Sequence, residues 1–281
     1  MEIINNITEL RRYRADLRRQ GRSLGLVPTM GAIHSGHTSL VELAAQQADA
    51  VLVWIFVNRA QFNDQSDFER YPRDFKGDCE ILQKHGVSAV LIPDEQEIFQ
   101  PGYQTWIEPG ELAVDWEGKF RPGHFRGVAT IVAMMFAMIE PELAVFGEKD
   151  FQQLRIVEQL VADLKFNVEI IRAPIVRDPD GLALSSRNQL LSDDERNEAL
   201  TVPRSIKLAQ EAFLSGERRT NALCRIAEKA FNGTAAKPEY FVIVDPVTLK
   251  ETEIADANSR VLVAARVGSV RLIDNAAIGG G

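Results

Sequence analysis

Cysteine is nearly absent from this sequence: Cys79 and Cys224 lie far apart, match no metal-ligand spacing and cannot frame a disulfide scaffold. Both read as free thiols of a reducing compartment. An excess of basic charge is missing too. With 32 Lys and Arg against 40 Asp and Glu, the formal net charge is −8, so the surface lacks the positive field that a nucleic-acid backbone needs. Nucleic acid is therefore not an expected partner, and phosphate-binding cations should be few and focused. No apolar run approaches the ~20 residues of a membrane span; the longest, 128–139, has the length of a buried helix. The opening MEIINNITELRRYR has no apolar stretch between a basic start and a cleavage site, so no signal peptide is expected. No membrane association is expected and the cytoplasm is the default location.

What is present is ordinary globular material: 281 residues, 45% hydrophobic and 26% charged, enough for two domains. Short β-rich runs at 23–27, 51–57, 89–92, 143–146 and 168–171 alternate with helical patterns at 39–47, 75–85, 128–139 and 151–164. Such alternation predicts an α/β fold, a Rossmann-like parallel sheet domain over 1–175 that binds ligands at the carboxyl ends of its strands. Pro174 and the turn Arg177-Asp178-Pro179-Asp180-Gly181 break the rhythm. A second, smaller α+β domain is expected over 176–281, with a helical region 192–214 that Pro203 starts or kinks, a helix near 221–231, and strands at 240–244, 261–265 and 271–273. Arg11, Arg12, Arg14, Arg18 and Arg19 surround Leu10, Tyr13 and Leu17 at amphipathic spacing, which predicts a solvated helix face rather than an anion site.

The first strand of that pattern ends in Pro28-Thr29-Met30-Gly31-Ala32-Ile33-His34-Ser35-Gly36-His37, immediately before a helix. Gly31 and Gly36 allow close backbone approach, and a helix start offers free N–H groups to an anion such as phosphate. The H-x-G-H pattern is the signature of the nucleotidylyltransferase superfamily; a metal pair, or two structural histidines capping the helix, are the competing readings. Asn58 to Phe62 and Gly147 to Leu154 also follow strands at their carboxyl ends. The amides of Gln61 and Gln153 can donate to a carboxylate and accept from a hydroxyl, which suits a small polar acid. Lys149 begins a helix, where a mobile cation meets phosphate. Ser185, Ser186 and Arg187 place two hydroxyls and a guanidinium in a turn opened by Gly181.

The segments PTMGAIHSGH, FVNRAQF, RPGHFRGVATIV, FGEKDFQQL, DGLALSSRN and AARVGSVRLIDN resemble, in order and over nearly the whole chain, the motif series of the pantothenate synthetases. The resemblance implies an ATP site lined by Met30, Gly31, Ala32, Ile33, His34, Ser35, Gly36 and His37. It adds Gly147, Glu148, Lys149, Asp150, Val176, Leu184, Ser185, Ser186 and Arg187. His34, His37 and Lys149 would be catalytic, with His37 the proton donor. Gln61 and Gln153 would hold pantoate and β-alanine, with Asn58 beside them. No metal-binding residues are implied; Mg²⁺ would be carried mainly by ATP, and the chain would be a homodimer.

Two departures stand out. Arg59 occupies the place of the family's usual proline, which restores freedom to the Gln61 loop and adds charge near an anionic substrate. Trp54 replaces a residue that is often small. The implied reaction joins pantoate to β-alanine through a pantoyl-adenylate, releasing AMP and pyrophosphate, with the second domain excluding water as it closes. The rivals are nucleotidyl transfer to another small acid or phosphate ester, tRNA charging, and a nucleotide sensor without turnover.

Overall fold

The structure, a computed structural model, describes residues 1–63 and 65–280. The chain divides into two compact units: Met1–Glu148 with Gln152–Pro174, and Lys149–Phe151 with Ile175–Gly281.

The first unit is built on a parallel sheet of β1 (Glu2–Ile4), β2 (Leu24–Thr29), β3 (Ala50–Ile55), β4 (Ala89–Leu91), β5 (Leu143–Gly147) and β6 (Glu169–Ala173). Its strand order is β1-β4-β3-β2-β5-β6. The helices of the chain up to this point are α1 (Ile7–Arg19), α2 (Ser35–Ala45), α3 (Gln65–Arg70) and α4 (Phe75–Lys84). They continue with α5 (Glu95–Ile98), α6 (Glu117–Phe120), α7 (His124–Ile139) and α8 (Phe151–Leu164).

The period-two geometry of a strand sorts the side chains of this sheet between two cores. Ala50, Leu52 and Trp54 of β3 join Leu24, Leu26, Ala144 and Phe146 on one face, packed with Leu10 and Leu17 of α1, Val132 and Phe136 of α7 and Leu154 of α8. Val51, Val53 and Ile55 join Val27, Leu143 and Val145 on the other, with Val41 and Ala44 of α2 and Leu82 of α4. A sheet covered on both faces explains why these strands read as continuous apolar runs rather than alternating ones. Trp54 is fully enclosed and meets Phe56 edge-on, with ring centroids 6.1 Å apart.

Two expectations need correcting here. The arginines of α1 are not all solvated. Arg14 is buried, donating to the Glu140 carbonyl at 2.7 Å and to the Glu142 carboxylate, while Arg18 pairs with Glu140. A residue at the same helical spacing as Leu10 and Leu17 is carried inward with them, and its guanidinium is neutralised at the start of β5. The edge strand β1 was not expected, because three residues carry no periodic signal; pairing with β4 creates it.

The second unit contains α9 (Asp193–Ala199), α10 (Thr201–Leu214), α11 (Thr220–Glu228), β7 (Lys237–Val244), β8 (Arg260–Val267) and β9 (Val270–Ala277). The strands form an antiparallel sheet in the order β7-β8-β9. Ser192 caps α9 by a reciprocal bond with Glu195. Pro203 lies in the first turn of α10, where no intrahelical N–H is lost, so it starts a helix rather than kinking one. Among the described residues no helix is long and apolar enough to cross a membrane.

Candidate active site

β2 pairs in parallel with β3 on one side and with β5 on the other. The strand order reverses direction between β2 and β5, the topological position at which open α/β sheets place their ligand sites, outside the carboxyl ends of the strands. The turn that emerges there carries Gly31 at φ +87° and Ala32 at φ +53°. Glycine tolerates that region; alanine costs roughly 1–2 kcal/mol in it. The compensation comes from α4, whose Asp78 is 4% exposed and accepts the N–H of Ala32 at 3.0 Å and of Ile33 at 2.7 Å. Hydrogen bonds to a charged group contribute about 1.5–3 kcal/mol each, enough to hold the strained turn. Burial raises the Asp78 carboxyl above its ordinary value, and the N–H groups of Ile33 and Ala32 offset part of that rise.

His34 then serves as the N-cap of α2. Gly36 N–H donates to His34 Nδ1 at 3.1 Å, and His34 N–H donates to His37 Nδ1 at 3.3 Å, so the two imidazoles close a reciprocal cap. Their ring centroids are 4.1 Å apart. Because each Nδ1 accepts, the neutral form of each ring keeps its proton on Nε2, and both histidines are donors at that nitrogen. The capping role and an anion-binding role are thus compatible: the cap sets the tautomer an anion would require. The helix was expected from 39; it starts at Ser35 because a histidine, an unusual cap, replaces Ser, Thr, Asp or Asn. Among the described residues no three His, Cys, Asp or Glu side chains cluster as metal ligands.

Beyond β3, Asn58 is buried and caps the 3₁₀ turn Arg59–Gln61 by accepting Ala60 N–H at 3.1 Å. Its amide donates to the Gly127 carbonyl at 3.2 Å and to Gln61 Oε1 at 3.1 Å. Gln61 Nε2 in turn reaches Met30 Sδ at 3.0 Å, which joins this turn to the β2–α2 junction. The Gln61 carbonyl lies 2.8 Å from His124 Nδ1 and accepts from Arg121 Nη2 at 3.3 Å. The turn is therefore pinned without the family's proline. Arg59 is exposed, donates to Gln65 Oε1 at 3.1 Å and lies 5.8 Å from the Phe68 ring centroid.

Neighbouring glutamines on α8 differ. Gln152 is buried and wholly structural, donating to the carbonyls of Leu112 and Asp115 and accepting from Glu117 N–H. Gln153 is half-buried and sits in the same unit as Gln61. Gly147 ends β5, and Glu148, Lys149 and Asp150 form a 3₁₀ turn of half-buried residues. Lys149 and Asp150 belong to the second unit, where Asn275 Nδ2 donates to the Lys149 carbonyl at 2.9 Å. Val176 accepts Leu184 N–H across a tight hairpin closed at Gly181, whose φ is +95°. Arg177 grips Asp274 with two bonds of 2.7 and 2.9 Å, which ties that hairpin to β9. Ser185 caps the 3₁₀ helix Ser186–Leu190 by accepting Arg187 N–H, and Asn188 donates to the Ala183 carbonyl. Ser185, Ser186 and Arg187 are all half-buried.

Asp78, His124 and Arg121 were not anticipated as parts of the site. Asp78 had a legible signal: Asp74, Asp78 and Leu82 are spaced by four, which puts a carboxylate on the buried face of a helix. His124 and Arg121 lie in the segment RPGHFRGVATIV, but what they hold, a backbone carbonyl about sixty residues away, leaves no mark in the residue pattern.

The model of the Pantoate-beta-alanine ligase family matches residues 2–277. A pantothenate synthetase of Aquifex aeolicus is 46% identical, with 97% of each chain covered. One of Thermotoga petrophila is 43% identical, covering 99% of this chain and 100% of the relative. A pantothenate synthetase of Thermus thermophilus superposes with a TM-score of 0.93 at 40% identity over 99% of each chain. The pantoate-beta-alanine ligase of Francisella tularensis, solved with Beta-gamma ATP and β-alanine, superposes at 0.82 with 35% identity, over 100% of this chain and 99% of that one. The strand order, the paired histidines at the switch of the sheet and this likeness along the whole chain agree: the chain belongs to the pantoate–β-alanine ligase family.

Proposed function

We propose that this chain is an ATP-dependent ligase that condenses pantoate with β-alanine through a pantoyl-adenylate, releasing AMP and pyrophosphate. The observation that carries the reading is the β2–α2 junction, where two histidines are held as Nε2 donors at the N-terminus of a helix. Attack by an ionised carboxylate on the α-phosphorus needs little base catalysis; it needs neutralised charge on the phosphates. His34 and His37 donate to those phosphates, with His37 the proton donor, and the residues from Met30 to His37 line the nucleotide.

Gln61 and Gln153 bind pantoate and β-alanine, with Asn58 holding the Gln61 amide in place. Gly147, Glu148, Lys149, Asp150, Val176, Leu184, Ser185, Ser186 and Arg187 are assigned to ATP, Lys149 and Arg187 as its cations. Mg²⁺ arrives on the nucleotide and neutralises phosphate charge there, since an ion that keeps much of its water needs few protein ligands. The two free thiols and the family likeness support a cytoplasmic homodimer. In this reading 1–175 binds ATP and pantoate and 176–281 forms the smaller lid domain. A turnover assay with ATP, pantoate and β-alanine tests it. Pantothenate and AMP in equal amounts are expected; no product from any pantoate concentration would leave the nucleotide-sensor alternative standing.

A further inference from the structure

We propose that Asp78 is a positioning residue for the two histidines, acting through the backbone of the turn between β2 and α2. The inference rests on the proposed ligase chemistry for its kinetic readout only. Asp78 is not needed as a cap for its own helix, because Asp74 already accepts the Gly77 N–H at 3.0 Å at the start of α4. Its carboxylate is instead carried inward and divided between two consecutive peptide groups, Oδ2 on Ala32 N–H and Oδ1 on Ile33 N–H. Consecutive N–H groups converge on one anion only when the backbone turns them to the same side. The positive φ values at Gly31 and Ala32 do that.

The space is closed around this arrangement. A Cβ on Gly31 would stand 2.9 Å from Asp78 Oδ2, so the carboxylate is seated directly against the turn. Ile33 immediately precedes His34, whose extended backbone makes it the N-cap, and the cap in turn fixes His37. The chain of dependence runs from a carboxylate on α4, through two N–H groups, to the Nδ1 acceptors and hence to the Nε2 protons of both rings. A shift of the turn by a fraction of an ångström would leave the fold intact and misdirect the donors.

The test is Asp78→Asn, which keeps the size of the side chain but presents an NH₂ group to one of the two N–H donors. With pantoate present and β-alanine omitted, ATP–pyrophosphate exchange should lose roughly 10–100-fold in kcat, as expected when a reacting group is displaced by about 1 Å. The pantoate KM should change little, because the Gln61 turn is held by Asn58, Arg121 and His124. Adding Ala32→Gly to Asp78→Asn should recover part of the loss, since glycine adopts φ near +53° unaided. Imidazole ¹⁵N spectra should show Nε2–H tautomers for His34 and His37 in the wild type and a mixture in Asp78→Asn, a readout that needs no turnover.

A folded Asp78→Asn variant with kcat within about threefold of wild type overturns the proposal. So does lost activity with unchanged tautomers and no recovery from Ala32→Gly. Should the variant not fold, a through-hydrogen-bond coupling between the Ile33 amide and the Asp78 carboxyl carbon in the wild type decides it, and its absence overturns the proposal. A wild type without exchange activity would refute the ligase reading instead, and the tautomer comparison would still judge Asp78.

Discussion

Gly127 on α7 lies so close to Ala60 that a Cβ added to it would stand 2.3 Å from the Ala60 carbonyl oxygen and 2.5 Å from its carbon. Both partners are backbone, so neither can give way as a flexible side chain would. Gly127→Ala should therefore push the Arg59–Gln61 turn outward and loosen the Asn58 bond to the Gly127 carbonyl. Overpacking of this kind costs about 1–3 kcal/mol. The pantoate KM should rise roughly tenfold from misplacement of Gln61, with that for ATP nearly unchanged. Thermal melts and substrate titrations measure both; an unaltered pantoate KM would detach this turn from pantoate binding.

Lys149→Ala should lower turnover by about 10²–10³, the usual loss when one group that stabilises developing charge is removed. The fold should survive, because the bond from Asn275 reaches the Lys149 main-chain carbonyl, which alanine retains. Circular dichroism and steady-state rates separate the two effects. Turnover within about threefold of wild type would take Lys149 out of the chemistry.

Pantoate carrying ¹⁸O in its carboxylate should give AMP with one labelled oxygen per turnover and unlabelled pyrophosphate. The label follows from attack on the α-phosphorus and the later loss of AMP to the amine. Mass spectrometry of the products reads it. Label in inorganic phosphate would mean an acyl-phosphate route, even if the amide product were identical.

The buried Arg14 makes an asymmetric prediction about stability. Glu142 bridges it to the Leu24 N–H at 2.7 Å, yet Arg14 Nε and Nη1 find no hydrogen-bond partner among the described residues. Glu142→Ala strands a buried cation and should cost about 1.5–3 kcal/mol, at the lower end because Glu142 is half-exposed. Arg14→Met removes the charge with its burden and should cost less. Urea unfolding of the two variants decides the order; the reverse order would mean that the ion pair stabilises more than its burial costs.

Glu217 gives a dependence on pH. The backbone N–H of Arg219, then its side chain, then the N–H of Arg218 hold the carboxyl down at about 2. A lowered folded value means stability present above the ordinary value of 4.5 and lost as pH falls through about 2. The difference in Tm between wild type and Glu217→Gln should therefore shrink steadily below pH ~4.5. A constant gap would show that the carboxylate charge contributes nothing.

Much of this protein was legible in its residues. The alternation of β-rich and helical patterns determined the α/β unit, because a doubly covered parallel sheet demands apolar strands and amphipathic helices in that order. Pro174 and the Asp-Pro-Asp-Gly turn break that alternation, which is why a second domain is expected beyond them. His34, His37, Asn58 and Gln61 could be singled out as candidates because each lies just past the carboxyl end of a strand, where open α/β sheets place their sites. Tertiary structure alone decided the rest. Packing against neighbours turned Arg14 inward, made a strand of three residues at the amino end, and assigned Gln152 to the scaffold while its neighbour Gln153 stays half-buried. It also brought Asp78 to the turn before His34 and His124 to the Gln61 carbonyl. Those bonds join a side chain to a distant peptide group, and every residue carries the same peptide group, so no pattern of residue types can record which one is held.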